Sequence, residues 1–122
     1  MTPAETVTEF LHRVDQLNLD GAAELLAEDV LYDNVPMEPK FNGRDTVIAV
    51  LKGWLGAATE ADWQVLRQTE TGQMVMNERL DRVLMAGKWV EIPCAGIFEV
   101  GDDGLIHLWR DYFDLATFTS QL

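Results

Sequence analysis

Gln73-Met74-Val75-Met76-Asn77-Glu78-Arg79-Leu80-Asp81-Arg82-Val83-Leu84-Met85, then Ala86-Gly87, then Lys88-Trp89-Val90-Glu91-Ile92-Pro93-Cys94-Ala95-Gly96-Ile97-Phe98-Glu99-Val100, reads as two long strands joined by a tight turn. Successive side chains of a strand point to opposite faces, so residues two apart share a face. Arg79, Asp81 and Val83 therefore point one way, and Met74, Met76, Leu80 and Leu84 the other. Ile92 and Cys94 alternate together on the neighbouring strand. Glu78 and Arg82 have the parity of the outer face.

The pattern continues on both sides. Upstream, Trp63 to Glu70 alternates and is rich in β-formers, with Thr71-Gly72 as the turn. Downstream, Gly101-Asp102-Asp103-Gly104 is a hairpin turn and Leu105 to Asp114 the last long strand. Leu115 to Leu122 reads as a short closing helix or tail, capped by Asp114.

The first half has a helical period. Thr2-Pro3-Ala4-Glu5 is a capping box with proline at the first helical position. Val7, Phe10, Leu11, Val14 and Leu17 recur at helical spacing, which predicts a helix to about Leu17. Asp20 is the expected cap of a second helix that turns Ala23, Leu26 and Ala27 inward. Val30 to Asn34 reads as a strand, and the segment from Val35 to Lys40, with two prolines, as a loop. Asn42 or Gly43 opens a third helix with Val47, Val50, Leu51, Trp54 and Leu55 on a core stripe. Helices first and a meander afterwards predict an α+β fold, one domain over residues 1–122. Its helices lie on one face of a curved antiparallel sheet, which makes a cone with an internal pocket.

With 48% apolar residues, four Trp and five Phe, the chain can fill a core. A net charge of −12 speaks against nucleic acid and anionic membranes as partners. No apolar run reaches the roughly 18 residues of a membrane span. The acidic N-terminus has no signal-peptide pattern, and the single Cys94 allows no intrachain disulfide. The expectation is a soluble, cytoplasmic protein.

Three short motifs carry the chemistry. Tyr32-Asp33-Asn34 turns Tyr32 and Asn34 to one face. Arg79-Leu80-Asp81 does the same for its outer pair, and Trp109-Arg110-Asp111-Tyr112-Phe113-Asp114 puts Asp111 with Trp109 and Phe113, leaving Arg110 outside. If those faces are buried, one cavity holds two carboxylates, a guanidinium, a phenol and an amide. Burying such groups is costly unless they pair, and so mixed a set points to proton transfer.

Tyr32-x-Asn34, Arg79-x-Asp81 and Trp109-Arg110-Asp111-Tyr112-Phe113-Asp114 together resemble the signature of the limonene-1,2-epoxide hydrolase family. The element order resembles the wider superfamily of conical folds like nuclear transport factor 2 and SnoaL. The likeness covers nearly the whole chain, with a compact N-terminus and a slightly longer hairpin at Gly101–Gly104 as departures. It implies Asp81 as general acid, Asp111 as base, Arg79 as the bridge between them, and Tyr32 and Asn34 as holders of the water. It implies a small apolar epoxide and water as substrates, and no cofactor.

Epoxide opening needs a base to take a proton from water and an acid to protonate the ring oxygen. Two carboxylates fill both roles only when one is protonated and the other ionised, or when they share one proton. The planar fork of Arg79 suits a pair carrying one negative charge. The expected wall is apolar: Val83, Ile92, Cys94 and Phe113 from the sheet, with Met37, Leu51, Trp54 and Phe118 at the rim or floor.

Blander readings exist for each piece. Arg79 and Asp81 alone would pass for a surface salt bridge, and Tyr32 and Asn34 for a strand end. His12 reads as solvated and His107 as a surface or interface residue; two histidines so far apart make no metal motif. No Gly-x-Ser-x-Gly elbow or glycine-rich phosphate loop is present. Competing functions are an isomerase or cyclase of the same fold, with one Asp abstracting a carbon-bound proton, and a non-catalytic ligand-binding dimer module. The apolar outer face with Met74, Met76, Leu80 and Leu84 predicts a homodimer.

Overall fold

A computed structural model describes residues 1–122. The elements run α1 (Pro3–Asp15), α2 (Leu19–Ala23), β1 (Leu26–Asn34), β2 (Phe41–Asn42), α3 (Arg44–Leu55), β3 (Ala58–Thr71), β4 (Met74–Met85), β5 (Lys88–Val100), β6 (Ile106–Phe113) and α4 (Leu115–Thr119). All six strands form one curved sheet in the order β2-β1-β6-β5-β4-β3. Neighbours are antiparallel except β1 and β6, so the sheet is mixed. The conical α+β architecture expected from the element order is the one observed. No helix is long and apolar enough to cross a membrane.

Helix α1 starts where the capping box places it: Thr2 accepts from Glu5 N and Glu5 accepts from Thr2 N. It stops at Asp15, two residues before Leu17, because Leu17 takes a positive φ of 57°. Its inner stripe, Val7, Phe10, Leu11 and Val14, is buried against the sheet. Each such side chain contributes about 1.5–3 kcal/mol by leaving water. Phe10 meets Trp109 edge-on at 5.1 Å, and Trp109 is fully buried between the helix layer and the sheet.

The second helix departs from expectation. Its cap is Asn18, whose side chain accepts from Gly21 N, and Asp20 lies inside the helix. The helix ends by Ala23, so Leu26 and Ala27 belong to β1, not to a helix. The run Ala22-Ala23-Glu24-Leu25-Leu26-Ala27-Glu28 is made of helix formers, and pairing of Leu26 with Ile106 on β6 overrides that preference. On α3 the buried residues are Val47, Ile48, Leu51 and Leu55. Ile48 takes the core place expected for Val50, and Trp54, 42% exposed, is not core.

The parity read for β4 is the observed one. Val75, Asn77, Arg79, Asp81 and Val83 are buried, while Met74 and Met76 on the outer face are exposed and Leu80 and Leu84 half-buried. Pro93 sits within β5 opposite Leu80, in a strand with neighbours on both sides. A proline there would break a ladder, but β6 pairing starts only at Cys94. The free edge before it is covered by Gln121, which accepts from Glu91 N at 2.8 Å and donates to Glu91 O at 2.7 Å.

Candidate active site

The concave face of the sheet gathers the three motifs. β4 supplies Arg79 and Asp81, β6 supplies Asp111, and β1 supplies Tyr32 and Asn34. Asn34 is the direct partner of Asp111 across the parallel pair. Arg79 is 1% exposed, Asp111 4% and Asp81 7%.

Arg79 joins the two carboxylates. Its Nε donates to Asp81 Oδ1 at 3.1 Å and its Nη2 to Asp81 Oδ2 at 3.0 Å. The same Nη2 donates to Asp111 Oδ2 at 2.9 Å. Nη1 turns away and donates to Asn77 Oδ1 at 2.9 Å. The indole N–H of Trp109 holds the second oxygen of Asp111 at 3.0 Å. Buried ion pairs of this kind are stabilising only when each lone pair and proton is met, and here both carboxylates accept N–H bonds at both oxygens.

The electrostatics favour unequal protonation. Burial pushes the Asp111 pKa above its ordinary value, and the nearby Asp81 adds to the rise; Arg79 and Trp109 oppose it. Asp81 and Asp111 carry two potential negative charges against one guanidinium. A single proton shared by the pair leaves the cluster neutral. Arg79 stays charged, because its carboxylate partners outweigh the cost of burial. Burial, then the charge of Asp111, raises the Tyr32 pKa well above the ordinary tyrosine value, so its hydroxyl keeps its proton. The Tyr32 ring stacks on Trp109 with centroids 3.9 Å apart, which fixes the phenol. Asn34 Nδ2 is buried and has no hydrogen-bond partner. It is a donor beside Asp111 with capacity to spare.

These groups open on one cavity of about 290 Å³, walled by 17 residues of which 14 are hydrophobic. That is near the small end for ligand pockets. Tyr32, Asn34, Asp81 and Asp111 reach its surface, and so do all eight expected wall residues: Met37, Leu51, Trp54, Val83, Ile92, Cys94, Phe113 and Phe118. Arg79 lies behind them and does not line the cavity. Leu55, Trp63, Met85, Val90 and Leu122 also line it and escaped the sequence reading. Trp63 is opposite Asp81 in the β3–β4 register, a pairing that alternation alone does not disclose. Cys94 is more than a wall residue: its thiol donates to Asp81 Oδ2 at 3.4 Å. Burial raises its pKa, so it stays a neutral thiol.

Asp81, Cys94 and Asp111 present ligand atoms within 4.8 Å of one another, the spacing of a metal set. Arg79 already fills the space between the carboxylates with a positive charge, so the set does not suit a cation. The remaining candidates fall elsewhere. His12 is exposed. His107 lies between Asp103 at 3.0 Å and Asp29 at 3.3 Å, away from the cavity. Arg110 and Asp33, on the outer face, pair at 2.8 Å directly behind Asp111 and Asn34.

The chain is similar to known proteins over nearly its whole length. The sequence model of the limonene-1,2-epoxide hydrolase catalytic domain matches residues 1–122. The chain is 33% identical over 109 residues to epoxide hydrolase EphG of Mycobacterium tuberculosis, covering 89% of this chain and 71% of that protein. The structure of an M. tuberculosis epoxide hydrolase of the same type superposes with a TM-score of 0.86 at 28% identity, over 98% of this chain and 88% of the other. A putative SnoaL-like polyketide cyclase from Shewanella putrefaciens superposes with a TM-score of 0.88 at 13% identity, over 98% and 94% of the two chains. That last likeness speaks for the fold alone.

Proposed function

We propose, since this chain belongs to the limonene-1,2-epoxide hydrolase family, that it opens a small apolar epoxide with water to give a vicinal diol. The observation that carries the reading is the buried Arg79 bridge, 3.0 Å from Asp81 and 2.9 Å from Asp111, behind an apolar pocket that both carboxylates reach.

Asp111 is the base. It stands opposite Asn34 across the parallel strand pair, and of the two carboxylates its charge acts more strongly on the Tyr32 phenol; amide and phenol together offer a seat for a water. Burial strengthens it as a base, and Arg79 with Trp109 keeps its ionised form accessible. Holding the water in one orientation removes much of the entropy cost of attack. Asp81 is the acid: the one proton of the pair, which burial draws toward Asp111, must stand on Asp81 when the water attacks, and Asp81 then gives it to the epoxide oxygen.

The step balances within the cluster. The water oxygen bonds to one ring carbon as that carbon's bond to oxygen breaks. Asp111 takes a water proton, and Asp81 delivers one to the leaving oxygen. The cycle closes when the proton returns from Asp111 to Asp81, whose oxygens lie within 4.8 Å of each other. No covalent bond to the protein forms. The wall suits a hydrocarbon body such as a terpene or cyclic epoxide. The isomerase alternative is less well supported, because an enolate site has no use for a guanidinium between two carboxylates.

The test is incubation with terpene, cyclohexene and styrene epoxides, with product identified by mass. Diol formed by the wild-type protein and absent with Asp81→Asn supports the reading. No diol from any member of the panel overturns it.

A further inference from the structure

We propose that Asn77 is a positioning residue that aims the Arg79 guanidinium at the two carboxylates, and that Gly96 keeps open the space this requires; its catalytic meaning rests on the epoxide-opening reading. Asn77 is 5% exposed and does not line the cavity, so it has no contact with a substrate to explain it.

The register shows the arrangement. Gln68, Asn77, Gly96, Asp111 and Asn34 are successive cross-strand partners on β3, β4, β5, β6 and β1. They form one transverse row across five strands. Four of the five carry polar side chains, and the gap is glycine. A Cβ on Gly96 would collide with Arg79 Nη1 and stand 2.8 Å from Asp111 Oδ1 and 3.0 Å from Asn77 Oδ1. The guanidinium therefore passes directly over the β5 backbone at the one place where no side chain blocks it.

Donors and acceptors run in one direction along this row. Arg79 has only donors, so Asn77 must turn its oxygen to Nη1, at 2.9 Å. Its Nδ2 then donates to Gln68 Oε1 at 3.1 Å. Gln68 Nε2 donates onward to Thr8 Oγ1 at 3.1 Å, on the exposed face of α1. The chain of bonds ties the head group of Arg79 to the helix layer. Without it, the guanidinium would be hydrogen-bonded by the two carboxylates alone, between the rings of Trp63 at 5.7 Å and Phe98 at 5.8 Å.

The neutral amide also sets the charge of the site. Nη1 needs an acceptor, and a third carboxylate would supply one. It would also leave three potential negative charges on one guanidinium and raise the proton affinity of the pair. The carbonyl of Asn77 satisfies the donor and leaves Asp81 and Asp111 to share a single proton.

The experiment uses the full chain with Asn77→Ala, Asn77→Asp and Gly96→Ala. Turnover is measured across pH, and the carboxyl carbons of Asp81 and Asp111 are titrated by NMR. Asn77→Ala and Gly96→Ala should lower kcat about 10–100-fold with KM nearly unchanged, the signature of a misaimed group that does not touch substrate. Asn77→Asp should move the acidic limb of kcat/KM, and the carboxyl titration with it, upward by about one pH unit or more. Native kcat in Asn77→Ala, or an unmoved titration in Asn77→Asp, overturns the proposal. If Asn77→Ala does not fold, the isosteric Asn77→Asp decides through the titration. If the wild-type chain opens no epoxide, the reaction reading fails, and the carboxyl titration of Asn77→Ala, which adds no charge, decides the positioning role: a misaimed Arg79 moves it upward, and an unmoved titration overturns the proposal.

Discussion

Asn34 and Asp111 stand opposite each other on the only parallel strand pair of the sheet, and both point into the cavity. A strand that passes through a helix and a meander before its partner returns has thus brought a spare amide donor beside a buried carboxylate. A slip of one residue by β1 would turn Asn34 outward and away from Asp111. On the reverse face the neighbours Asp33 and Arg110 form an ion pair at the adjacent register position, with Lys40 also 3.0 Å from Asp33. The pair joins the two strands at the alignment that sets Asn34 beside Asp111.

Removing either carboxylate should abolish turnover and leave the fold. In Asp81→Asn and Asp111→Asn the side-chain shape and hydrogen-bonding capacity survive, while the proton-transfer role does not. Each should lose at least about 10²–10⁴-fold, and the double variant should be little worse than a single one. Circular dichroism and melting check folding; near-native turnover in both would remove the assignment.

Arg79 should behave differently from its partners. Arg79→Met leaves two carboxylates buried without their cation and should cost about 3–5 kcal/mol of stability, read by denaturant titration. Arg79→Lys should fold better yet remain inactive, because an ammonium has no fork to span both groups. Tyr32→Phe should cost about tenfold in turnover, the loss of one hydrogen bond.

The pH dependence follows from Asp111. Its folded pKa is raised above 3.8 by burial, so the folded protein holds this proton more tightly than the unfolded chain. Its contribution to stability is present below the unfolded value and is lost as pH rises through the folded value. Asp111→Asn should therefore gain stability relative to wild type as pH climbs through that window. Activity has the opposite sense on this limb: the base must be ionised, so kcat/KM should fall on acidification at a pH above the ordinary carboxylate range. A limb at 3.8 would contradict the burial of Asp111.

Two wall residues should separate packing from recognition. Leu51 is 1% exposed and belongs to both the core and the cavity wall, so Leu51→Ala should cost about 2–5 kcal/mol and admit bulkier epoxides. Trp54 is 42% exposed at the mouth, so Trp54→Ala should raise KM with little change in melting temperature. Equal effects on stability would mean that Trp54 is core after all.

A chelator should leave diol formation unchanged, because Arg79 occupies the charge position that a cation between Asp81 and Asp111 would need. Activity lost to chelation and restored by zinc would show that Asp81, Cys94 and Asp111 hold a metal.

The sequence made the site's facing legible because a strand's period is two. Arg79 with Asp81, and Tyr32 with Asn34, need only that period to point together. The alternation of Ile92 with Cys94 placed wall residues for the same reason. What stayed hidden depends on cross-strand register and side-chain reach. Trp63 beside Asp81, Asn77 behind Arg79 and the indole N–H of Trp109 on Asp111 are such cases. Leu26 and Ala27 were misleading, since their own preference is helical and only pairing with β6 makes them strand.

The central claim is that water itself attacks, drawn by Asp111. A single turnover in water labelled with oxygen-18, followed by mass analysis of both the diol and the digested protein, tests it most directly. Label in the diol from the first turnover, with none in any Asp side chain, is the predicted result. Unlabelled diol from the first turnover, with label then appearing in Asp81 or Asp111, would mean a covalent ester and contradict it.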